Sequence, residues 1–429
     1  MLVLGGGIVG LFCAYYLRRS GATVTLAERG AIGGPGSCSY GNTGFVGTQG
    51  SAPLAEPGVM RQGLRWLADP RSPFSIRPRP DADLVSWLWH FRRCCDEQTA
   101  RAVFRVLLEM KQRSLAILTD LCASGTLAPT FTAPGIVVAY RTPEAFEKAR
   151  KSLPQAVALG VPLRILAPEE LAALEPEAEF DISGAMINDE GAALRVPEFV
   201  TEFARMLQRD GVELCPDTEA VGFETAGDQV TRVITTRGDF TPGEVVIAAG
   251  AWSAACARQL GVRGLAMQPA KGYSVTVRAP SGGPRRPVLL SEGKVALAPL
   301  GDRLRFGGTL ELAGLDTTIS ARRVDGIRRT VSAYLPRLET TETVETWSGL
   351  RPCTPDSVPF IGRAGGYRNL SVAFGHGYIG MGLAPATGEL VAQIVTGKEP
   401  DIDPAPFRTD RFQRQGRVQG QGRGRGRRA

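Results

Sequence analysis

Residues 2–30 read LVLGGGIVGLFCAYYLRRSGATVTLAERG, and this stretch decides the fold. A short apolar strand, a glycine-rich turn, a helix and a second strand follow one another, which is the order of a βαβ unit. Gly5, Gly7 and Gly10 form the pattern GxGxxG between the first strand and the helix. In such a turn the first glycine permits the tight bend, the second lets a pyrophosphate approach the backbone, and the third lets helix and strand pack closely. The stretch therefore predicts a dinucleotide site with the pyrophosphate at the helix N-terminus.

An acidic residue closes this unit. Glu28 ends the second strand, 18 residues after Gly10, where a carboxylate accepts hydrogen bonds from a ribose 2′-OH. An acid at this position also disfavours a 2′-phosphate, and hence NADP. Ile8 and Val9 lie inside the GxGxxG turn, and Arg29 follows Glu28. All three are predicted to contact the cofactor. The pattern alone leaves both FAD and NAD open.

The rest of the chain combines helical and β-rich segments. Apolar residues at three- and four-residue spacing predict helices in 82–95, 100–125 and 197–211, whereas short β-rich runs dominate 271–314. A helix is predicted at about 321–334, and a strand, a glycine-rich turn and a helix over 369–397. The predicted fold class is α/β: a Rossmann-like nucleotide-binding domain built from discontinuous segments, with an inserted β-rich α+β substrate domain. The predicted boundaries are 1–75, 185–265 and 345–412 for the first domain, 76–184 and 266–344 for the second.

The net charge of +7 is concentrated at the C-terminus. Eight arginines and one acid follow position 407, so the remainder of the chain is formally neutral. The Gly/Arg-rich stretch 413–429 offers almost nothing to bury, and we predict a disordered tail. A solvated tail with no specific nucleic-acid partner is the simpler interpretation. Weak contact with RNA, DNA or anionic lipid is the alternative.

Cysteine usage and hydropathy narrow the class of protein further. Eight cysteines occur without a CxxC pair, and the chain has only two histidines, so neither a metal site nor a redox dithiol is predicted. No apolar run reaches the roughly 18 residues of a transmembrane helix. We expect a reduced, cytoplasmic protein, with peripheral attachment to the inner face of the membrane as the alternative.

Six further motifs carry a family resemblance. They are SCSYGNTG (37–44), PLAEPG (53–58), KGYS (271–274), GGTLELAG (307–314), WSGLRPCTPDSVPFIGR (347–363) and AFGHGYIGMGLAPATGEL (373–390). With gaps, the sequence from Leu2 to Phe412 resembles the D-amino-acid dehydrogenase and glycine oxidase branch of the FAD-dependent amine oxidoreductases. The resemblance implies FAD stretched across the first domain, with the flavin ring facing the β-rich domain. Cys353 is out of register with the cysteine that some sarcosine oxidases link to flavin, so we expect noncovalent FAD.

The resemblance also implies which residues contact the cofactor. The pyrophosphate and flavin would be lined by Ser39, Asn42, Thr43 and Gly44, the adenine by the backbone of Val221, and the cofactor further along by Ala249, Gly250, Gly349, Gly377, Tyr378, Ile379 and Gly380. The last glycine-rich turn would direct N–H groups and a helix N-terminus at the pyrimidine carbonyl of the flavin, where negative charge accumulates on reduction.

Three residues are the candidates for substrate binding and catalysis. Arg351 in the LRP motif is predicted to grip a carboxylate with two parallel hydrogen bonds; a surface arginine in a proline-bounded turn is the alternative. Tyr273 in KGYS would add a hydroxyl to the same carboxylate, unless it is simply a core residue. His376, between two glycines, would line the flavin site or assist proton transfer, or else serve as a structural hydrogen-bonding group. For Lys271, a flavin-site water and an acidic partner are equally compatible with the sequence.

Together these features predict oxidative deamination of a small amino or imino acid, with a hydride passing from the α-carbon to FAD. The favoured activity is a dehydrogenase of D-amino acids or of a D-hydroxyproline-type imino acid. Glycine oxidases carry an arginine where this chain has Tyr378, which disfavours the rival oxygen-using glycine or sarcosine oxidase. An FAD subunit of a heteromeric opine or sarcosine oxidase is a further alternative, so the electron acceptor and any partner subunits stay open. A different class of function would be nucleic-acid or membrane binding through the basic tail.

Overall fold

A computed structural model describes residues 1–68, 72–279 and 281–413 of the 429-residue chain. Its strands are β1 (Leu2–Leu4), β2 (Thr25–Ala27), β3 (Phe45–Val46), β4 (Phe74–Ile76), β5 (Phe131–Thr132), β6 (Ile136–Tyr140), β7 (Leu163–Leu166), β8 (Gly184–Asn188), β9 (Ala192–Leu194), β10 (Glu213–Cys215), β11 (Ala220–Ala226), β12 (Gln229–Thr235), β13 (Val245–Ile247), β14 (Gln268–Arg278), β15 (Val288–Leu290), β16 (Val295–Leu300), β17 (Arg303–Leu312), β18 (Thr343–Cys353), β19 (Phe360–Arg363) and β20 (Leu370–Phe374). Its α-helices are α1 (Ile8–Arg19), α2 (Val59–Ala68), α3 (Ala82–Cys94), α4 (Glu97–Leu121), α5 (Pro143–Ala158), α6 (Pro168–Leu174), α7 (Val196–Arg209), α8 (Ser253–Gln259), α9 (Ala321–Tyr334) and α10 (Gly380–Thr396).

The first sheet has the strand order β10-β2-β1-β13-β20-β19. All neighbours pair in parallel except β19, which is antiparallel to β20. The strands β1 and β13 are buried along their whole length, as expected for parallel strands covered on both faces. Helix α10 packs closely on α1, because a Cβ on Gly388 would lie only 2.4 Å from the backbone of Phe12. The predicted βαβ unit and its Rossmann-like sheet are confirmed.

The second sheet has nine strands and is largely antiparallel. Its main path runs β18-β14-β17-β16-β15-β6-β8-β7, and β4 pairs with β17. Helix α9 covers one face, where Ile327 and Val331 pack against strand residues such as Val275 and Phe306. The strands β14, β15, β16 and β17 of this sheet come from the segment that was predicted to be rich in β-structure.

Two elements connect the sheets across the predicted domain boundaries. Strand β18 pairs with β14 along its length, although the predicted boundary at 344/345 assigns most of it to the nucleotide-binding domain. Helix α4 lies in the predicted range 76–184 of the substrate domain, but its apolar residues Leu107, Met110 and Leu118 belong to the core around α1 and α10. The division into domains therefore stays a prediction, with these two elements as its exceptions.

Within the described ranges, none of the helices combines the length and apolarity that a bilayer span requires. The same residues contain no cluster of three or more acidic, histidine or cysteine side chains suited to a metal ion. All eight cysteines are free thiols. The predicted disordered tail, apart from Gln413, lies outside the described residues.

Candidate functional site

A cleft opens along the edge of the first sheet where its parallel strands end. Its walls come from the segments that follow β1, β2, β13 and β20, and from the loop after β10. This carboxyl edge is the general ligand site of open parallel sheets.

The glycine-rich turn at the start of α1 shows what kind of group fits the cleft. A Cβ on Gly5 would lie 2.4 Å from the carbonyl oxygen of Ala248, and a Cβ on Gly10 only 1.8 Å from that of Gly5. These two glycines are thus required by the packing of the protein itself. Gly7 lines the cleft, yet the nearest atom to a Cβ there is Ser37 Oγ at an ordinary 3.4 Å. Its missing side chain leaves space at the helix N-terminus, where a pyrophosphate needs it.

The end of the cleft near β2 carries the acid predicted for a ribose. Glu28 Oε2 accepts a 2.6 Å hydrogen bond from the Gly6 N–H, and its Oε1 accepts one of 3.2 Å from Gly30. These bonds fix the carboxylate, while a carboxylate has further lone pairs available for a ligand. The neighbouring Arg29 stacks its guanidinium 3.5 Å from the ring centroid of Trp252. Glu28, Arg29 and Trp252 all line the cleft.

The end of the cleft assigned to the adenine is lined by the chain neighbours of Val221. Thr218, Glu219 and Ala220 line this end of the cleft, whereas Val221 does not. The side chain of Val221 is 52% exposed on β11. Contact between the adenine and the backbone of Val221 therefore stays a prediction, with Ala220 as its neighbour in the lining.

The loop before β3 forms the outer wall of the cleft. Ser39 lines the cleft and its Oγ accepts a 3.1 Å hydrogen bond from the Ile8 N–H, which ties the loop to the start of α1. Ile8 and Val9 are also in the lining, as is Asn42, whose Oδ1 accepts a 2.7 Å hydrogen bond from the Gly44 N–H. Gly44 itself does not reach the cleft. Its Cβ position lies 2.1 Å from the Leu194 carbonyl oxygen, so packing explains this glycine.

Residues of the second sheet hold the same loop from behind. The buried Arg305 donates a 2.6 Å hydrogen bond from Nη1 to the Tyr40 carbonyl oxygen. Thr43 directs its methyl group at Gly307 of β17, where a Cβ would be only 2.8 Å away. Thr43 therefore faces the sheet, and it is absent from the cleft lining.

The opposite end of the cleft is formed by Leu350, Pro352, His376, Gly377, Gly380 and Met381. These six residues define the far end of the cleft. Ala249 and Gly250 line the cleft between the two ends. Tyr378 and Ile379 instead line a smaller adjoining pocket of about 210 Å³ that shares His376 and Gly377 with the cleft. Gly349 lies outside both linings; the ring of Trp347 covers it, 2.0 Å from where a Cβ would be.

The hydrogen bonds of His376 define its tautomer. Thr387 Oγ1 donates a 2.9 Å hydrogen bond to the Leu383 carbonyl oxygen, so this hydroxyl can only accept from His376 Nε2, which lies 2.9 Å away. Nε2 therefore carries the proton. Burial lowers the pKa of His376 to about 3, so the ring is neutral at physiological pH. His376 lines the far end as predicted, but it does not suit proton uptake near neutrality.

A pH-dependent stability difference tests this state of His376. Its pKa is about 6.5 in an unfolded chain and about 3 in the folded protein. The unfolded state thus binds an extra proton between these values, and stability falls as pH drops below about 6.5, by at most about 1.4 kcal/mol per unit. We expect His376→Gln, whose amide can still donate to Thr387, to lose less stability between pH 6.5 and 4 in urea unfolding. Identical losses in both proteins would contradict the neutral assignment.

Arg351 lies beside the far end without an acidic partner. Arg351 itself is absent from the lining of the cleft, although its neighbours Leu350 and Pro352 belong to it. The Arg351 guanidinium crosses Gly272 of β14. Nη1 donates to the Thr309 carbonyl oxygen at 2.5 Å and Nη2 to that of Gly308 at 3.4 Å.

The backbone that holds Arg351 is strained. Thr309 has a φ of 65°, an uncommon conformation for a β-branched residue. Strain of this kind clusters at functional sites. Carbonyl oxygens use only part of the five donors of a guanidinium, and no carboxylate in the described part of the chain pairs with Arg351. The arrangement leaves hydrogen-bonding capacity and a positive charge for an anionic ligand.

Tyr273 requires a correction. Its side chain is 1% exposed in the core between the second sheet and α9, and its hydroxyl donates a 2.8 Å hydrogen bond to Glu311 Oε2. It is absent from the lining of the cleft. The structure thus assigns Tyr273 to the core, the alternative that the sequence left open. Lys271 pairs with acids, with its Nζ 2.9 Å from Asp316 and 3.5 Å from Glu311.

Sequence reasoning missed several residues of the lining. Among them are Cys38, Thr218, Ala220, Trp252, Cys256 and Met381. Cys38 lies inside the motif SCSYGNTG, and Trp252 lies in the run AAGAW (248–252), which contains the predicted contacts Ala249 and Gly250; both segments are usable signals. Ala220 and Cys256 come from segments with no motif, and only the folded arrangement brings them to the cleft.

Comparisons with known proteins agree with this geometry. The family model described as FAD dependent oxidoreductase matches residues 1–394. A D-amino acid dehydrogenase of Granulibacter bethesdensis is 33% identical over 423 residues, covering 96% of this chain and 99% of that protein. One of Methylobacterium radiotolerans is 33% identical over 412 residues, with coverages of 94% and 97%. The solved structure of glycine oxidase from Geobacillus kaustophilus matches with a TM-score of 0.76 at 25% identity, covering 96% of this chain and 98% of that one.

Proposed function

The chain belongs to the FAD-dependent oxidoreductase family, and from this premise we propose that it oxidises a small D-amino or imino acid as a dehydrogenase. The observation that carries the proposal is Arg351, an arginine without an acidic partner beside the far end of the cleft. The relatives named D-amino acid dehydrogenase support the substrate class, because they align over nearly their whole length.

We propose that FAD lies in the cleft with its adenosine half near Glu28 and its flavin at the far end. Glu28 suits the ribose of the adenosine half, and the gap at Gly7 suits the pyrophosphate. The flavin would then occupy the far end, next to the N-terminus of α10. The two cysteines of the lining are protonated thiols, since burial raises the pKa of Cys38 to about 11 and that of Cys256 to about 12; Cys353, in the adjoining pocket, has its pKa raised to about 12 for the same reason. We therefore propose noncovalent binding.

Bound FAD supplies the acceptor for a hydride from the α-carbon. The task of the protein is to hold the substrate in a reactive orientation, which can account for a large share of the rate. Arg351 would bind the carboxylate with two charge-assisted hydrogen bonds. Loss of the hydride from the neutral amine would leave an iminium ion, which gives the imine by losing a proton. Water would then convert the imine to the 2-oxo acid with release of ammonia, or a cyclic imine would remain.

Neutral His376 has a structural role in this scheme. With Nε2–H donated to Thr387, it joins the turn 375–379 to the second turn of α10. A group with a pKa of about 3 cannot take the proton of a substrate ammonium at neutral pH. We infer that the substrate reacts in the fraction that is already deprotonated, or loses its proton to another group.

An oxygen-using oxidase is the second candidate, favoured by the likeness to glycine oxidase. The side chain at position 378 argues against it, because glycine oxidases are expected to carry arginine there and this chain has Tyr378. Its hydroxyl donates a 3.3 Å hydrogen bond to the Ala52 carbonyl oxygen. We also propose a cytoplasmic location, which is consistent with the eight free thiols. The proposal specifies neither the electron acceptor nor partner subunits.

A dye-reduction assay tests the proposed activity. Purified protein is mixed with an artificial electron acceptor and, in turn, D- and L-alanine, D- and L-proline, hydroxyproline isomers, glycine and sarcosine. We expect dye reduction with one or more D-compounds and little hydrogen peroxide in air without dye. Stoichiometric peroxide would identify an oxidase, and turnover of only L-compounds would contradict the proposed substrate class.

A further inference from the structure

Lys111 is a buried lysine that the proposed reaction does not use. It lies in the middle of α4, is 3% exposed, and faces the loop 47–51 and the start of α10. Its Nζ donates a 2.8 Å hydrogen bond to the Gln49 carbonyl oxygen. No carboxylate of the described residues pairs with it.

A second buried lysine, Lys271, shows how a buried ammonium is usually stabilised. Lys271 is equally buried but has Asp316 and Glu311 within 3.5 Å. Burying an ammonium without an opposite charge is expensive. Burial is accordingly the cause that lowers the pKa of Lys111 to about 7. An apolar residue of similar length would avoid this cost, so the position calls for a functional explanation.

The surroundings of Lys111 place it next to the far end of the cleft. Its Cγ is 3.9 Å and its Cε 4.0 Å from where a Cβ on Gly382 would lie. Gly380 and Met381, which come just before Gly382, line the cleft. One turn along α4, Ser114 Oγ accepts a 3.2 Å hydrogen bond from the Ala386 N–H. Helix α4 thus holds the first turns of α10 and places an amine behind them.

We propose that Lys111 is a positioning residue whose positive charge stabilises the negative charge that FAD gains on reduction. The proposal rests on the binding of FAD at the cleft, but not on the identity of the amino acid. The N-terminus of α10 contributes partial positive charge at the same place. Below pH 7, where most of the Lys111 amine is protonated, it would add a positive charge in a region of low dielectric, where electrostatic interactions are strong. A buried amine that has no carboxylate partner is free to serve this purpose.

Two substitutions separate charge from packing. Lys111→Gln keeps donors for the Gln49 carbonyl oxygen but removes the charge, and Lys111→Met keeps the length and the apolar contacts. Arg105→Met, an exposed change on the same helix, is the matched control. The readouts are the Kd for sulfite, which adds to oxidised flavin and leaves a negative charge on the ring, and the midpoint potential of the bound FAD. Neither measurement requires an amino acid, so failure of the proposed substrate class would not affect them.

At pH 6, where most of the Lys111 amine is protonated, we expect both Lys111 variants to bind oxidised FAD and to weaken sulfite binding by about tenfold or more. A tenfold change corresponds to about 30 mV for a two-electron couple, so the midpoint potential should fall by at least that amount. The thermal unfolding temperature of apo Lys111→Met should equal or exceed that of the unsubstituted protein. Unchanged sulfite affinity and potential in Lys111→Gln, or loss of oxidised FAD from both variants, would overturn the proposal.

Discussion

Gly7→Val is expected to yield a folded protein that contains no FAD. The protein itself tolerates a Cβ at this position, since the nearest atom, Ser37 Oγ, is 3.4 Å away. The branched side chain would instead fill the space at the N-terminus of α1 that the pyrophosphate requires. We expect FAD affinity to fall by more than about 100-fold, equivalent to about 3 kcal/mol. The measurements are the flavin absorbance of the purified protein and an FAD titration of the apo form.

Neighbouring glycines provide the controls for that experiment. Gly30→Val places a side chain where no atom lies within 4 Å, outside the cleft, and should load FAD normally. Gly10→Val should fail to fold, because its Cβ would lie 1.8 Å from the Gly5 carbonyl oxygen. A fully loaded Gly7→Val protein would refute the assignment of this turn to the pyrophosphate.

Arg351→Ala is expected to retain FAD but to raise the KM for the amino acid by about 30-fold or more. Loss of a charge-assisted pair with a desolvated carboxylate costs about 2 kcal/mol or more, and the cleft lining itself is unchanged. Arg351→Lys keeps the charge but loses the two-pronged geometry. Its KM for the amino acid should lie between the values of the unsubstituted protein and of Arg351→Ala. The measurement is steady-state dye reduction over a range of substrate concentrations, with FAD content determined for each variant.

A substrate without a carboxylate separates the role of Arg351 from a general loss of structure. An amine that matches the best amino acid but lacks the carboxylate should react poorly with the unsubstituted protein and no worse with Arg351→Ala. Unchanged amino-acid kinetics in Arg351→Ala would remove this residue from the substrate site.

The parts of the fold that were predicted correctly are those with local signals. The strand, glycine turn and helix at 2–19 follow from steric requirements within a few residues of one another. Helix α9 and the β20–turn–α10 unit were also recognisable, since periodicity and glycines mark their ends. For the same reason the lining contains most of the predicted contacts in the first turn and in the GHGYIG motif.

The features that the sequence did not predict depend on distant partners. Which face of β14 carries Tyr273 depends on its pairing with β17, where the register shifts between Lys271 and Tyr273. The presence of Ala220 rather than Val221 in the lining depends on where β11 begins relative to the loop after β10. Helix α4 has an ordinary amphipathic pattern, so only its packing on α10 reveals that Lys111 is buried near the cleft.

The most direct test of the central claim is an anaerobic titration of the purified protein with D- and L-amino acids, followed by the visible absorbance of the flavin. We predict a yellow protein whose long-wavelength band bleaches with one equivalent of a small D-amino or D-imino acid and recovers when an electron-accepting dye is added. A yellow protein bleached only by L-compounds, or by none of these compounds, would contradict the proposed substrate. A colourless protein that cannot be loaded with FAD would contradict the assignment of the cleft itself.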